Sequence, residues 1–496
     1  MSELEQGLEQ SLLLAAEDCP VERFERYHYF SQHEDRIIQA LCAHGPVLLK
    51  GGRGSGKSAL MIEAYRRMSA NNYGAIGVYV SLRHLPLLRS TGQEYEQLLC
   101  DRLSRAIHDQ LVKGHEEQKS FRISRDFAEL QDNLKELANT LDKRIVLMFD
   151  DVAHIGREAS LEEFFGVFRT ISSNIVSCKA SIYPGVTRFG IRFDVYNDAN
   201  VFDISRDERS TGFSEFFHQV LKLRYPQLET RIRESRSLSE LEVAGFLGRT
   251  VVGNMRGFVF ACGRLDSQEQ IGYPSVELVL KSLAADYYYP LLEELEPKLG
   301  VYQPLVATAR DLAEILFKHA ATQKSVPTLI VHRDIVQSLS KVFEILEYVG
   351  FISKREASRA MRSGGRGPRY ALNLATLLEQ VSPARLTKEL FAEWSTPNPD
   401  QPVDIHSSSN VIHLSQPVPA KQDELQVLLL PIEKLEQSYI YPYGLTALKL
   451  QELKAAGFTT IGELGAAQDE QLLDVPGIGN KWVDRIRSVV GQAVWM

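Results

Sequence analysis

Up to residue 209 the chain alternates short apolar runs with amphipathic stretches. Residues 21–45 hold an amphipathic helix (HEDRIIQALCAHG) that runs into the apolar strand Pro46–Lys50. Helical spacing of apolar positions resumes at Ser58, and further strands are predicted over Ala75–Ser81, Arg144–Phe149, Lys179–Val186 and Val201–Ile204. Strands of this length, apolar almost throughout and separated by helices, predict a parallel sheet covered on both faces. The period turns wholly helical over 210–280. Residues 281–394 add helices and then helix, strand, basic glycine-rich turn and strand. Residues 395–425 are rich in Pro, Ser and Asn without periodicity and read as a flexible linker. A last helical segment occupies 426–496. The expected fold class is α/β: a core over 1–209, a helical lid over 210–280, a third domain over 281–394, and a small all-α domain after the linker.

Composition sharpens this only at the margins. A hydrophobic content of 44% and a charged content of 24% belong to a folded chain, and the 496 residues exceed one ordinary domain. No apolar run reaches the roughly 18 residues of a membrane span. The five cysteines (Cys19, Cys42, Cys100, Cys178, Cys262) are scattered, with no CxxC pair, which suits a reducing cytoplasm. The net charge of −8 gives no global attraction to nucleic acid, so any such binding must be local.

The chemistry concentrates in two places. Gly51-Gly52-Arg53-Gly54-Ser55-Gly56-Lys57-Ser58 satisfies G-x-x-x-x-G-K-[ST], after a strand and before a helix that continues through Ala59. Such glycines let consecutive N–H groups turn toward phosphate oxygens, and the helix start adds its positive dipole end. Lys57 would reach the β- and γ-phosphates of ATP, and the Ser58 hydroxyl would ligate Mg²⁺. About ninety residues on, RIVLMF ends in Asp150-Asp151. Asp150 would hold the magnesium, and Asp151 would orient or deprotonate the attacking water. Thr187, ending the fourth strand, and Arg256, in Gly253-Asn254-Met255-Arg256-Gly257, are further candidates for phosphate contact.

The order of phosphate loop, acidic strand, polar strand end and G-N-x-R helix resembles AAA+ ATPases, above all the origin-recognition and archaeal-initiator type, over about residues 21–380. Phe30-Ser31-Gln32-His33-Glu34-Asp35 is similar to that family's F-x-G-R-E/D box, with Gln32-His33 where Gly-Arg is usual. Asp150-Asp151 stands where the family has Asp-Glu and resembles signalling ATPases of the STAND class. The resemblance implies assembly into homo-oligomers with ATP between subunits and an arginine supplied by a neighbour, for which Arg188, Arg192 and Arg206 are candidates.

Two C-terminal features suggest DNA. Lys354, Arg355, Arg359, Arg362, Arg366 and Arg369 crowd a strand–turn–strand with only Glu356 opposing them, which looks like a winged-helix domain. Val475-Pro476-Gly477-Ile478-Gly479-Asn480-Lys481 resembles a helix-hairpin-helix signature, and 428–492 is similar to the C-terminal domain of the bacterial RNA polymerase α subunit. Gly477 and Gly479 would turn N–H groups toward a phosphate, with Lys481 adding charge. From Gln426 onward, however, six basic face eight acidic side chains, so a protein partner is an equal expectation. The leading expectation is an ATP-regulated DNA-binding ATPase. The alternative is a STAND-type signalling switch that recruits a protein through its C-terminal module. No HExxH, Cys-His cluster or second acidic metal motif supports a metalloenzyme.

Overall fold

The computed structural model describes residues from 24 onward, with Ala16 and Cys19, except 71–73, 115–126, 155–160, 187–188, 191–192, 363, 397–400, 409–410, 421–424, 438–443 and 496. The apolar runs become five parallel strands: β1 (Val47–Lys50), β2 (Ala75–Ser81), β3 (Arg144–Asp150), β4 (Val176–Ile182) and β5 (Asn200–Asp203), in the order β2-β3-β4-β1-β5. With β4 between β1 and β3, the carboxyl ends of these three strands open on one crevice, where open α/β sheets bind ligands.

Every residue of β4 is buried, Lys179 included. Its ammonium donates to the carbonyls of Ala40, in the last turn of the helix Gln32–Cys42, of its cap residue Ala43, and of Gly45 just beyond. Burial lowers its pKa to about 8. This strand stops at Ile182, four residues short of the Val186 expected from the apolar pattern. Tyr183-Pro184-Gly185 turns there, closed by Val186 N–H donating to Tyr183 O at 3.2 Å, and Pro184 has no N–H for a ladder.

The lid comprises five helices, Phe213–Arg224, Pro226–Ser235, Glu240–Thr250, Met255–Asp266 and Tyr273–Leu283. The third domain runs helix Leu305–Thr322, β6 (Thr328–Val331), helices Arg333–Ser338 and Ser340–Val349, then the antiparallel pair β7 (Ile352–Ala360) and β8 (Arg366–Leu372).

The segment read as a flexible linker departs from expectation in its described residues. Val403–Ile405 forms β9, paired in parallel with β6, Val411, Ile412 and Leu414 pack on the main core, and Ala420 N–H donates to Val301 O. Its few apolar residues suffice to fasten it, although its Pro and Ser content suggests a free tether. The C-terminal helices Ala447–Ala455, Ile461–Ala466, Asp469–Leu473 and Asn480–Trp495 have their own apolar core, and it includes Leu85 and Leu88 from the segment after β2. The module is thus docked on the α/β core. All five cysteines are buried free thiols. Among the described residues no helix is long and apolar enough to cross a membrane.

Candidate nucleotide-binding site

The glycine loop bridges β1 and the helix Lys57–Ser69, with Gly54 at φ +75° and Gly56 at φ +103°. In this left-handed region a Cβ costs about 1–2 kcal/mol. At Gly54 it would also stand 2.6 Å from Arg256 Cβ and 2.9 Å from Asn254 Oδ1, because the lid turn rests on the loop. Asn254 Nδ2 donates to Arg53 O (2.5 Å) and Arg256 N–H to Gly54 O (3.1 Å), so the G-N-x-R turn and the glycine loop form one unit. Gly54→Ala is expected to destabilise the fold by about 2 kcal/mol or more and to weaken nucleotide binding, measured by denaturant unfolding and titration with a fluorescent ATP analogue.

Lys57 Nζ donates to Gly51 O (2.8 Å) and Gly52 O (3.0 Å) and lies 4.5 Å over the ring of Tyr183. At the sheet edge, Asp150 is fully buried and accepts from Ser181 Oγ (2.5 Å), Tyr79 Oη (2.7 Å) and the Ser58 hydroxyl. Burial by itself raises its pKa; these hydroxyls and the charge of Arg83 outweigh burial and hold the carboxyl below its ordinary value. The stability it contributes is therefore present above the unfolded value and lost as pH falls through the lower folded one. The stability difference between wild type and Asp150→Asn is expected to stay constant from about pH 5 to 8 and to shrink only under stronger acid, read by denaturant unfolding across pH. A buried, ionised carboxylate bonded to the loop hydroxyl suits a divalent cation with oxygen ligands.

Asp151 takes a positive φ of 54° and donates its N–H to Ser181 Oγ (2.9 Å). Its carboxylate pairs with Arg83 Nε at 2.7 Å. Further along the same cleft lie Arg53, Arg256, Arg224, His28 and Val259. Arg53 Nε and Nη1 are buried without a hydrogen-bond partner among the described residues, a cationic surface suited to phosphate oxygens. At the other end the His28 ring stacks on Phe24 at 3.9 Å. Burial, then the Arg224 charge, lowers the His28 pKa to about 4, so it presents a neutral face. The cleft thus sets a flat, neutral His28 ring and the cationic Arg53, Arg224 and Arg256 in one lining, complementary to a nucleotide's neutral base and anionic phosphates.

Sequence reasoning missed Tyr79, Arg83, Ser181, Tyr183 and Trp495. None carried a signal in the sequence: even the neighbourhood of Asp150 and Ser181 follows from the register that pairs Phe149 with Ala180, which exists only in the sheet. Of the candidates for a neighbour-donated arginine, Arg206 is described, and it is engaged inside its own chain. Its guanidinium is bound within its own chain to Glu34 and Ser55 O (2.9 Å), 4.5 Å over Phe216, so it clamps the F-x-G-R-E/D-like box to the glycine loop. Arg188, Arg192 and Thr187 lie outside the described residues. Ala59 is buried against Cys19 and Phe24.

The basic wing is divided. Arg355 is 1% exposed, bound to Glu208 (2.7 Å) and Val252 O (3.0 Å), and Arg369 is 2% exposed, bound to Glu356 (3.2 Å). These two are interior ion-pair partners and not surface phosphate contacts. Lys354 reaches Glu347 at 3.1 Å. Arg359 is half-buried near Glu356, whereas Arg362 and Arg366 are exposed on the turn. In the C-terminal hairpin, Gly477 (φ +79°), Gly479 and Lys481 are exposed, and Lys449 Nζ donates to Gly477 O.

No protein-family model matches the chain, and no curated protein matches it. Among solved structures it is similar to the Walker-type ATPase PABY2304 of Pyrococcus abyssi, at 14% identity and a TM-score of 0.42 over 71% of this chain and 95% of that one. It is also similar to the Aeropyrum pernix ORC1 protein in complex with DNA (15%, TM-score 0.34, 77% and 97%). A third is Drosophila ORC bound to DNA (12%, TM-score 0.31, 76% and 91%). The fold of this chain is a five-stranded parallel α/β core with a glycine loop after β1, a helical lid and a helical C-terminal region.

Proposed function

We propose that the chain binds ATP with Mg²⁺ in the cleft between glycine loop and lid and hydrolyses it. The observation that carries this reading is the buried Asp150 at the strand end beside the glycine loop, hydrogen-bonded to the loop serine, Ser58. Ser58 and Asp150 would hold Mg²⁺, which when bound neutralises charge developing on the phosphates. Lys57 would leave its loop carbonyls for the phosphates, Arg53 and Arg256 would add charge from the loop and the lid, and Asp151 would orient the water. Catalysis would be positioning and charge stabilisation.

The finer reading is that nucleotide state governs oligomerisation and engagement of DNA by the wing, and the exposure of Arg362 and Arg366 on the turn supports it. ATP turnover with and without duplex DNA, at two salt concentrations, tests it: stimulation that fades with salt supports the link, and indifference to DNA rejects it. Neutralising Arg359, Arg362 and Arg366 together is expected to lower DNA affinity and flatten the salt slope by up to about 0.9 for each phosphate no longer neutralised. An unchanged slope means the turn is only a solvated loop. One observation favours the alternative, a STAND-type switch acting on a protein partner. Arg355 and Arg369 are committed to interior ion pairs, which leaves fewer wing cations for phosphate.

A further inference from the structure

We propose that the helix Asn480–Trp495 is a latch on the nucleotide site, holding it in a low-turnover state until the helix shifts. The inference rests on the reading of the cleft as an Mg²⁺–ATP site. Trp495 is 6% exposed and lines that cleft beside Lys57, Ser58, Asp151 and Arg256. The last four carbonyls of a helix lack intrahelical partners, and here those of Val494 and Trp495 are engaged from outside. Val494 O pairs with His154 Nε2 at 3.0 Å, and Trp495 O accepts from Tyr348 Oη at 3.3 Å. The indole also meets the His154 ring edge-on, with centroids 5.8 Å apart. These partners come from two places: His154 follows the acidic strand end, and Tyr348 belongs to the helix Ser340–Val349 of the third domain.

One turn earlier, the backbone at Gly491 passes close to Arg83: a Cβ there would lie 3.6 Å from Arg83 Cδ. Arg83 in turn grips Asp151, and both side chains are mostly buried, at 16% and 8% exposure. A carboxylate oxygen locked on a guanidinium is turned away from a water and less free to orient it. Arg83 is thus a positioning residue acting on Asp151, and the helix covers it. At its opposite end, about 24 Å away for 16 residues, the same helix begins at the exposed hairpin Gly477–Lys481. A rigid rod with one end in the cleft and the other on the surface couples the two sites if a ligand at the hairpin displaces it. The latch therefore gives the C-terminal module a task inside the ATPase besides any binding of its own.

The test uses the full chain as wild type, Trp495→Ala and Tyr348→Phe. It measures kcat and KM for ATP, affinity for a fluorescent ATP analogue, and hydrogen exchange of 480–495 with and without the analogue. The latch predicts that Trp495→Ala raises kcat about fivefold or more while analogue affinity stays within about twofold, with a smaller rise for Tyr348→Phe. Exchange over 480–495 should rise in Trp495→Ala relative to wild type and stay the same in each protein when the analogue binds. Normal analogue binding with kcat unchanged or lowered in both variants overturns the latch and leaves Trp495 as a wall. Should Trp495→Ala fail to fold, Tyr348→Phe, which removes one hydroxyl, decides alone. If wild type itself binds no analogue, the ATP reading fails, and the latch fails with it.

Discussion

Replacing Lys57 by alanine is expected to lower ATP turnover by about 10²–10³-fold, the loss measured when a preorganised charge-stabilising group is removed. Each tenfold step corresponds to about 1.4 kcal/mol of lost transition-state stabilisation. The side chain is well placed for this. It is buried at the loop, and a helix start and a glycine-rich turn already aim N–H groups at the same point. Lys57 is also structural, since its ammonium is shared between Gly51 O and Gly52 O. A modest loss of thermal stability should therefore accompany the loss of turnover. Analogue titration separates the two, because a folded Lys57→Ala variant with weak analogue binding indicts the site and not the fold. Wild-type turnover in that variant would show that the nucleotide chemistry lies elsewhere.

Arg206→Ala is expected to cost about 3–5 kcal/mol of stability, the range for breaking a buried ion pair by removing one partner. Glu34 would be left buried without its cation, and Ser55 O would lose its donor in the middle of the phosphate loop. The same residue is also an expected arginine finger, and the two roles predict opposite patterns. A finger acts on a neighbouring subunit, so its loss would spare the stability and nucleotide binding of an isolated chain and abolish turnover only in the assembly. A clamp acts within the chain, so its loss lowers the melting temperature and nucleotide affinity of the monomer. Thermal unfolding and analogue titration below any concentration of self-association distinguish them. Glu34→Gln, which keeps one acceptor for Arg206, is expected to be milder.

The reach of the sequence is clear at the glycine loop. Its spacing, the strand before it and the helix after it form one local unit, so Gly51 to Ser58 could be read without knowing what packs on them. The acidic strand end was legible for the same reason, since an apolar run closing on Asp150 carries its own register to the sheet edge. The strands fell within a few residues of their expected bounds, except where the turn at Pro184 ended β4 early. Charge density along the chain misled at the wing: adjacency in sequence could not reveal that Arg355 and Arg369 face Glu208 and Glu356 in the interior. Composition likewise misled at 395–425, where β9 pairs with β6, a strand more than 70 positions upstream.

The alternating pattern and the loop spacing by themselves determined the class of the core and the edge at which its crevice opens, and they named the residues we propose to meet phosphate and magnesium. Each of these depends on local periodicity or on a short motif. Tertiary structure alone decided that Arg206 clamps Glu34 to the loop, that Ser181 and Tyr79 keep Asp150 ionised, that Arg83 holds Asp151, and that Trp495 reaches the cleft from the far end of the chain. Those contacts join residues tens to hundreds of positions apart, and their energies arise from desolvation and mutual orientation, which exist only once the chain has brought the groups together.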